Sequence, residues 1–79
     1  MEKSEIISKM VALLSEEFEI DAAQITDAAP IKETLHLDSL SIVDMVGLIE
    51  EEFGVEIKAD EIGKIRTFGD LYDYVQARA

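Results

Sequence analysis

The chain has no cysteine, no tryptophan, one proline, four glycines and a single histidine in 79 residues. Without cysteine there is no disulfide, no thiolate metal site and no protein thiol for acyl chemistry. That absence fits a reducing compartment. Bases are scarce as well, with seven Lys and Arg against eighteen Asp and Glu, for a formal charge of −11. Such a charge costs self-repulsion but favours solubility, and it makes nucleic acid and anionic membranes poor partners. A basic protein surface is its natural complement, because unlike charges steer encounter. No apolar run approaches the roughly 20 residues that span a bilayer, and Met1-Glu2-Lys3-Ser4-Glu5 lacks the basic start and apolar core of a signal peptide. The expectation is a cytoplasmic chain without membrane insertion.

What is present is helical patterning. Seventy-nine residues predict a single domain spanning 1–79, which hides roughly 60% of the surface its unfolded chain exposes, so a ligand cavity would draw on a small core. From Ser4 to Phe18, residues Ile6, Ile7, Met10, Val11, Leu13, Leu14 and Phe18 form an apolar stripe at helical spacing, with Ser4 as the expected cap. Residues 19 to 37 lack sustained periodicity and contain Pro30, which disfavours a helix running through it. A long structured loop is expected there, pinned to the core by its isoleucines.

A central helix is predicted from Asp38, a suitable N-cap, to Phe53, with Gly54 as its stop. At about 100° per residue, Ile42, Met45, Val46, Ile49 and Phe53 fall on one side, the expected core face. Leu40, Asp44, Gly47 and Glu51 share the other side, with Val43 and Glu50 at its edge. Asp60 is the expected cap of a short turn reaching Ile65, and Thr67-Phe68-Gly69-Asp70 has capping-box spacing for a last helix. The fold class is therefore all-α: a small bundle of three main helices and one short helix, with a long structured loop between the first and second main helices.

The strongest signal is Asp38-Ser39-Leu40, which opens a helix that ends in Glu50-Glu51-Glu52-Phe53. The run from Leu35 to Met45, followed by Glu50-Glu51-Glu52-Phe53-Gly54, Ile57 and a final helix with Tyr74, resembles the acyl carrier proteins of fatty acid and polyketide synthesis over nearly the whole chain. The tripeptide alone is weak; in this context it is strong. The resemblance implies that Ser39, beside Asp38, carries a 4′-phosphopantetheine arm, transferred from coenzyme A by a separate phosphopantetheinyl transferase. The arm's thiol would hold acyl groups as thioesters, which is chemistry this cysteine-free chain cannot supply itself. A helix N-terminus also suits a phosphodiester, because its N–H groups and partial positive charge face outward.

By the same resemblance, Leu40, Val43, Asp44, Gly47, Glu50 and Glu51 form a surface that docks on basic patches of ketosynthase, acyltransferase and reductase type enzymes, and the carrier works as a monomer. The acyl chain would enter the bundle at Val43, Ile49, Ile57, Ile62, Ile65 and Tyr74, although their spacing is equally that of packed core. Several positions depart from the family's common pattern. Thr34 and His36 replace an acid and a glycine, Ser41 stands where an acid is frequent, Gly47 where a methionine often makes a partner contact, and Lys58 where proline is usual. These departures point to a specialised member over the housekeeping one.

Other readings have less to stand on. A serine hydrolase needs a base and an oxyanion hole; the only histidine, His36, lies three residues from Ser39 in an expected loop, and no Gly-x-Ser-x-Gly elbow exists. No catalytic residues are assigned. The spacing of a calcium loop is missing, so no metal site is assigned either. A peptidyl, aryl or D-alanyl carrier, and an unmodified acidic adaptor that binds through the central helix, are the alternatives.

Overall fold

The computed structural model describes residues 2–78, so the end residues of the expected 1–79 domain lie outside it. Five α-helices follow one another: α1 (Lys3–Glu17), α2 (Ile31–Leu35), α3 (Ser39–Phe53), α4 (Ala59–Ile62) and α5 (Phe68–Arg78), with a 3-10 turn at Ala22–Gln24. No β-strand occurs among the described residues, and one isolated bridge pairs Pro30 with Thr67. The three long helices are those expected, and α4 forms where the short turn was expected but stops at Ile62 instead of reaching Ile65.

Each long helix buries one stripe. Ile6, Met10 and Leu14 of α1, Met45, Ile49 and Phe53 of α3, and Phe68, Leu71, Tyr72 and Val75 of α5 meet in a common core. Packing of α1 against α5 closes the bundle, and an exposed Lys3–Asp73 ion pair of 2.9 Å spans the two. Ile25, Ile31 and Leu35 from the connecting segment are also buried, so the long loop is pinned to the core as its isoleucines imply.

That segment contains a helix which its lack of periodicity does not announce. Pro30 breaks nothing, because it sits at the N-cap of α2 with extended φ −73° and ψ 130°. The Ile31 N–H donates to the Arg66 carbonyl at 2.9 Å, and the Phe68 N–H to the Ala29 carbonyl at 3.2 Å, which ties the start of α2 to the start of α5. Two expected caps are corrected. Glu2, not Ser4, precedes α1, and Lys58, not Asp60, precedes α4; neither makes a side-chain capping bond. Asp60 instead lies in the first turn of α4, where its charge complements the helix dipole.

The capping box is built as its spacing predicts. Thr67 Oγ1 accepts from the Asp70 N–H at 3.2 Å, and Asp70 Oδ2 accepts from the Thr67 and Arg66 N–H groups, both at 3.3 Å. Gly54 ends α3 at φ 66° and ψ 26°, its N–H donating to the Glu50 carbonyl at 2.8 Å. His36 ends α2 in the same left-handed region, at φ 55° and ψ 49°, although it carries a Cβ. This is the position where the family pattern has glycine. Its exposed side chain offsets nothing by packing, and the left-handed backbone costs a residue with a Cβ roughly 1–2 kcal/mol. His36→Gly is therefore expected to raise the unfolding free energy by about 1 kcal/mol, after allowing for glycine's greater unfolded-state entropy. Chemical denaturation checks it; an unchanged or lower midpoint would show that the strain is already relieved locally.

Candidate functional site

Ser39 is the first residue of α3, and its position is fixed by the residue before it. Asp38 is extended, at φ −101° and ψ −174°, and its Oδ1 accepts from the Ser41 N–H at 2.8 Å while its own carbonyl accepts from the Ile42 N–H at 3.0 Å. The cap leaves the Ser39 side chain exposed, without a hydrogen bond among the described residues. A hydroxyl in this setting is free to act as the acceptor of a group transferred from an external reagent, with its proton passing to that reagent's base. It also fits a covalently held phosphodiester, since α3 runs for fifteen residues behind it and presents its N-terminal end there. The adjacent carboxylate, Asp38, accepts from the Ser41 N–H.

That bond has a pH signature. The Ser41 N–H holds the Asp38 carboxyl below its ordinary value of 3.8, and the Thr67 and Arg66 N–H groups do the same for Asp70. A carboxylate whose folded-state pKa is depressed stabilises the fold above the unfolded value, and that contribution is lost as pH falls through the folded one. The unfolding temperature is therefore expected to drop more steeply below about pH 4 in the native chain than in an Asp38→Asn/Asp70→Asn variant, whose caps no longer titrate. Thermal melts across an acid series measure this; parallel curves would contradict it.

Behind Ser39, one exposed face of α3 carries Leu40, Val43, Asp44, Gly47 and Glu51. Leu40 is 77% and Val43 65% exposed, which makes them the two large apolar side chains in open water among the described residues. Two carboxylates stand among them. Gly47 is not required by packing, because a Cβ built there meets nothing within 4 Å, and an alanine would be about 1 kcal/mol better in mid-helix. Glu50 differs from its neighbours. It is half-buried, and its Oε2 accepts from the Ile57 N–H at 2.9 Å, which fastens the segment after α3 to the helix. Glu50→Ala is expected to cost about 1–3 kcal/mol by leaving a part-buried N–H without its charged acceptor, whereas Glu50→Gln keeps an acceptor and should lose less. Denaturation midpoints of the two variants separate this structural role from a purely electrostatic one, for which they would be equal.

A cavity of about 410 Å3 opens on the other side of α3, bounded by α2, α4 and the start of α5. Ile57, Ile62 and Ile65 line it as expected, together with Leu37, Ile42, Met45, Val46 and Leu71. Three residues assigned to it stand elsewhere. Val43 points to solvent, and Ile49 is fully buried in the core outside the cavity lining. Tyr74 acts as a tie between helices: its hydroxyl donates to Glu61 at 3.0 Å and accepts the Lys58 N–H at 3.5 Å, while the Arg78 guanidinium lies 3.6 Å over its ring and also reaches Glu61 at 3.2 Å. Of the missed lining residues, Ile42 and Val46 were placed by helical spacing on the apolar side of α3, but their half-burial beside the cavity carries no sequence signal. Leu37 and Ile42, two residues before and three after Ser39, bring part of the cavity lining close to the serine in the chain. No cluster of potential metal ligands and no helix long and apolar enough to cross a membrane occurs among the described residues.

With this geometry in place, comparison with known proteins identifies relatives. The family model described as "Phosphopantetheine attachment site" matches residues 8–75. The acyl carrier protein of Thermotoga maritima is 37% identical over 76 residues, covering 96% of this chain and 94% of the relative. That of Lactobacillus acidophilus is 36% identical over 77 residues, covering 98% and 96%. A solved structure of the acyl carrier protein from Enterococcus faecalis superimposes with a TM-score of 0.84 at 37% identity, covering 100% of both chains.

Proposed function

The chain belongs to the acyl carrier protein family, and from that premise we propose that it carries acyl intermediates as thioesters on an arm attached to Ser39. Its cofactor is 4′-phosphopantetheine. When bound, that group supplies the thiol absent from this sequence. The observation that carries the assignment of Ser39 is its exposed hydroxyl, without a hydrogen bond among the described residues, on the first residue of an Asp-capped helix, with the cavity-lining Leu37 two residues before it and Ile42 three after. The Asp38 cap holds the serine's backbone, and the rest of the chain provides a docking face and shelter without catalysing a reaction.

Leu40 and Val43 serve as apolar anchors and Asp44 and Glu51 as charges steering encounter with basic patches on the transferase and on ketosynthase, acyltransferase and reductase type enzymes. Exposed leucine and valine beside the attachment serine have no role in the chain's own core. Gly47 lets a partner approach the helix backbone closely, which offsets its cost in helix stability. We assign the carrier to the cytoplasm, as a monomer serving fatty acid or polyketide type synthesis in a specialised role that the departures at Thr34, His36, Ser41 and Lys58 mark.

Incubating the purified protein with coenzyme A and a broad-specificity phosphopantetheinyl transferase is expected to raise the intact mass by one arm. No gain, with a control carrier modified in parallel, would overturn the reading. Unmodified protein from the native host would favour an acidic adaptor instead.

A further inference from the structure

Residues 58–65 form a strap between two fixed points. Before it, Ile57 is buried and its N–H donates to Glu50 Oε2 at 2.9 Å; after it, the Arg66 carbonyl accepts from the Ile31 N–H at 2.9 Å. The strap contains α4, and through Ile62 and Ile65 it supplies part of the cavity wall. Of the helices that bound the cavity, α2, α3 and α5 each bury at least two residues, whereas α4 buries none. Ile62 and Ile65 rest on the core only half-buried. The backbone adds no outward anchor from the strap's carbonyls, since the Glu61, Lys64 and Ile65 N–H groups donate to Lys58, Glu61 and Ile62 within it.

Among the described residues, the polar ties from the strap to the rest of the chain gather at one place. Glu61 Oε1 accepts from the Tyr74 hydroxyl at 3.0 Å, and Glu61 Oε2 from the Arg78 guanidinium at 3.2 Å. Tyr74 and Arg78 stand four residues apart on α5 and so share a face, and the guanidinium lies 3.6 Å over the tyrosine ring. The two side chains thus hold each other where both meet the one carboxylate. The Tyr74 hydroxyl also accepts from the Lys58 N–H, at a long 3.5 Å. The proline usual at this position of the family pattern has no N–H and could not make that tie.

We propose that Glu61, Tyr74 and Arg78 are positioning residues that latch the strap and thereby set how long a loaded acyl chain stays in the cavity. With the latch closed, Ile62 and Ile65 are held as a wall against the chain; with it broken, only their half-buried contacts hold that wall, and the chain leaves sooner. The Glu61 and Arg78 side chains are 26% and 39% exposed, so water screens the pair and the effect is several-fold, not all-or-none. The proposal rests on attachment at Ser39 and adds how the attached chain is retained.

Two variants break the latch from opposite sides: Glu61→Ala on the strap and Tyr74→Phe/Arg78→Gln on α5. Amide hydrogen exchange of the unloaded protein reads the strap itself. The Lys64 and Ile65 amides should exchange several-fold faster in either variant, while the amides of α1 and α5 keep their native rates. Combining the variants should add nothing, because the same contacts are already gone. Acetyl and octanoyl groups, each loaded with the arm from its coenzyme A thioester, then read the cavity through the rate at which hydroxylamine cleaves them relative to the same thioester on coenzyme A. Octanoyl protection should drop several-fold in both variants, and acetyl cleavage, with no chain to reach the wall, should be unchanged. Native strap exchange in the variants, exchange that rises equally in every helix, additive effects, or octanoyl protection that is absent from the native chain or untouched by the variants overturns the latch. Loading is read separately by intact mass; no gain removes the attachment reading, and the exchange rates still decide whether these three residues hold the strap.

Discussion

Ser39→Ala is expected to abolish the mass gain completely while changing the unfolding free energy by less than about 0.5 kcal/mol. The two halves of this outcome come from the same geometry. The Ser39 side chain is exposed and makes no hydrogen bond among the described residues, so its removal leaves no buried group unsatisfied. The cap that starts α3 depends on Asp38 and the Ser41 N–H, both untouched, and alanine is a better helix former than serine. A loss of arm attachment with an intact fold therefore isolates the hydroxyl as the acceptor. The rival serine on this helix, Ser41, is half-buried and about half a turn further in. Ser4, Ser8 and Ser15 belong to α1, away from the α3 N-terminus. A mass gain that persisted in Ser39→Ala would move the attachment to one of these. A gain lost together with cooperative unfolding would implicate the fold instead.

The ease with which Ser39 is read from sequence has a local cause. Asp38 caps through a contact with Ser41 three residues on, Thr67 and Asp70 likewise span three residues, and Gly54 supplies its own left-handed backbone, so these helix ends are written in short-range chemistry. The α1 end at Phe18 was legible from the apolar stripe, but the end of α2 lacks such signals: it stops on His36 at φ 55°, a non-glycine residue held in the left-handed region by the surrounding fold. α2 itself is five residues long, too short for periodicity to announce it, and it is held by a hydrogen bond to Arg66, thirty-five positions away from Ile31. The same limit applies to the cavity. Helical spacing separates the two faces of α3 but cannot say which residues of the apolar face are covered by core and which look into a gap, because that depends on where α4 stops.

Ile49 makes this distinction measurable. Its position on the apolar side of α3 is compatible with either a chain-binding wall or packed core, and the structure places it fully buried in the core, outside the cavity lining. Ile49→Ala is then expected to cost about 2–5 kcal/mol, the sum of lost transfer free energy and of the void left behind. A domain of this size has about 4–12 kcal/mol in total, and each kcal/mol corresponds to about 4–8 °C. The unfolding temperature should consequently fall by roughly 8–40 °C. Val43→Ala, at 65% exposure on the same helix, should stay within about 0.5 kcal/mol. If Ile49→Ala fails to fold, Ile49→Val gives the same sign at about 0.5–1.5 kcal/mol and keeps the comparison open. The decisive contrast is with Ile62→Ala, which trims a half-buried cavity wall. It should cost less stability than Ile49→Ala but alter the protection of a loaded acyl chain, whereas Ile49→Ala should destabilise the loaded and unloaded forms equally. A loaded chain that restored most of the stability lost in Ile49→Ala would mean that it occupies the vacated volume, and Ile49 would then belong to the acyl site after all.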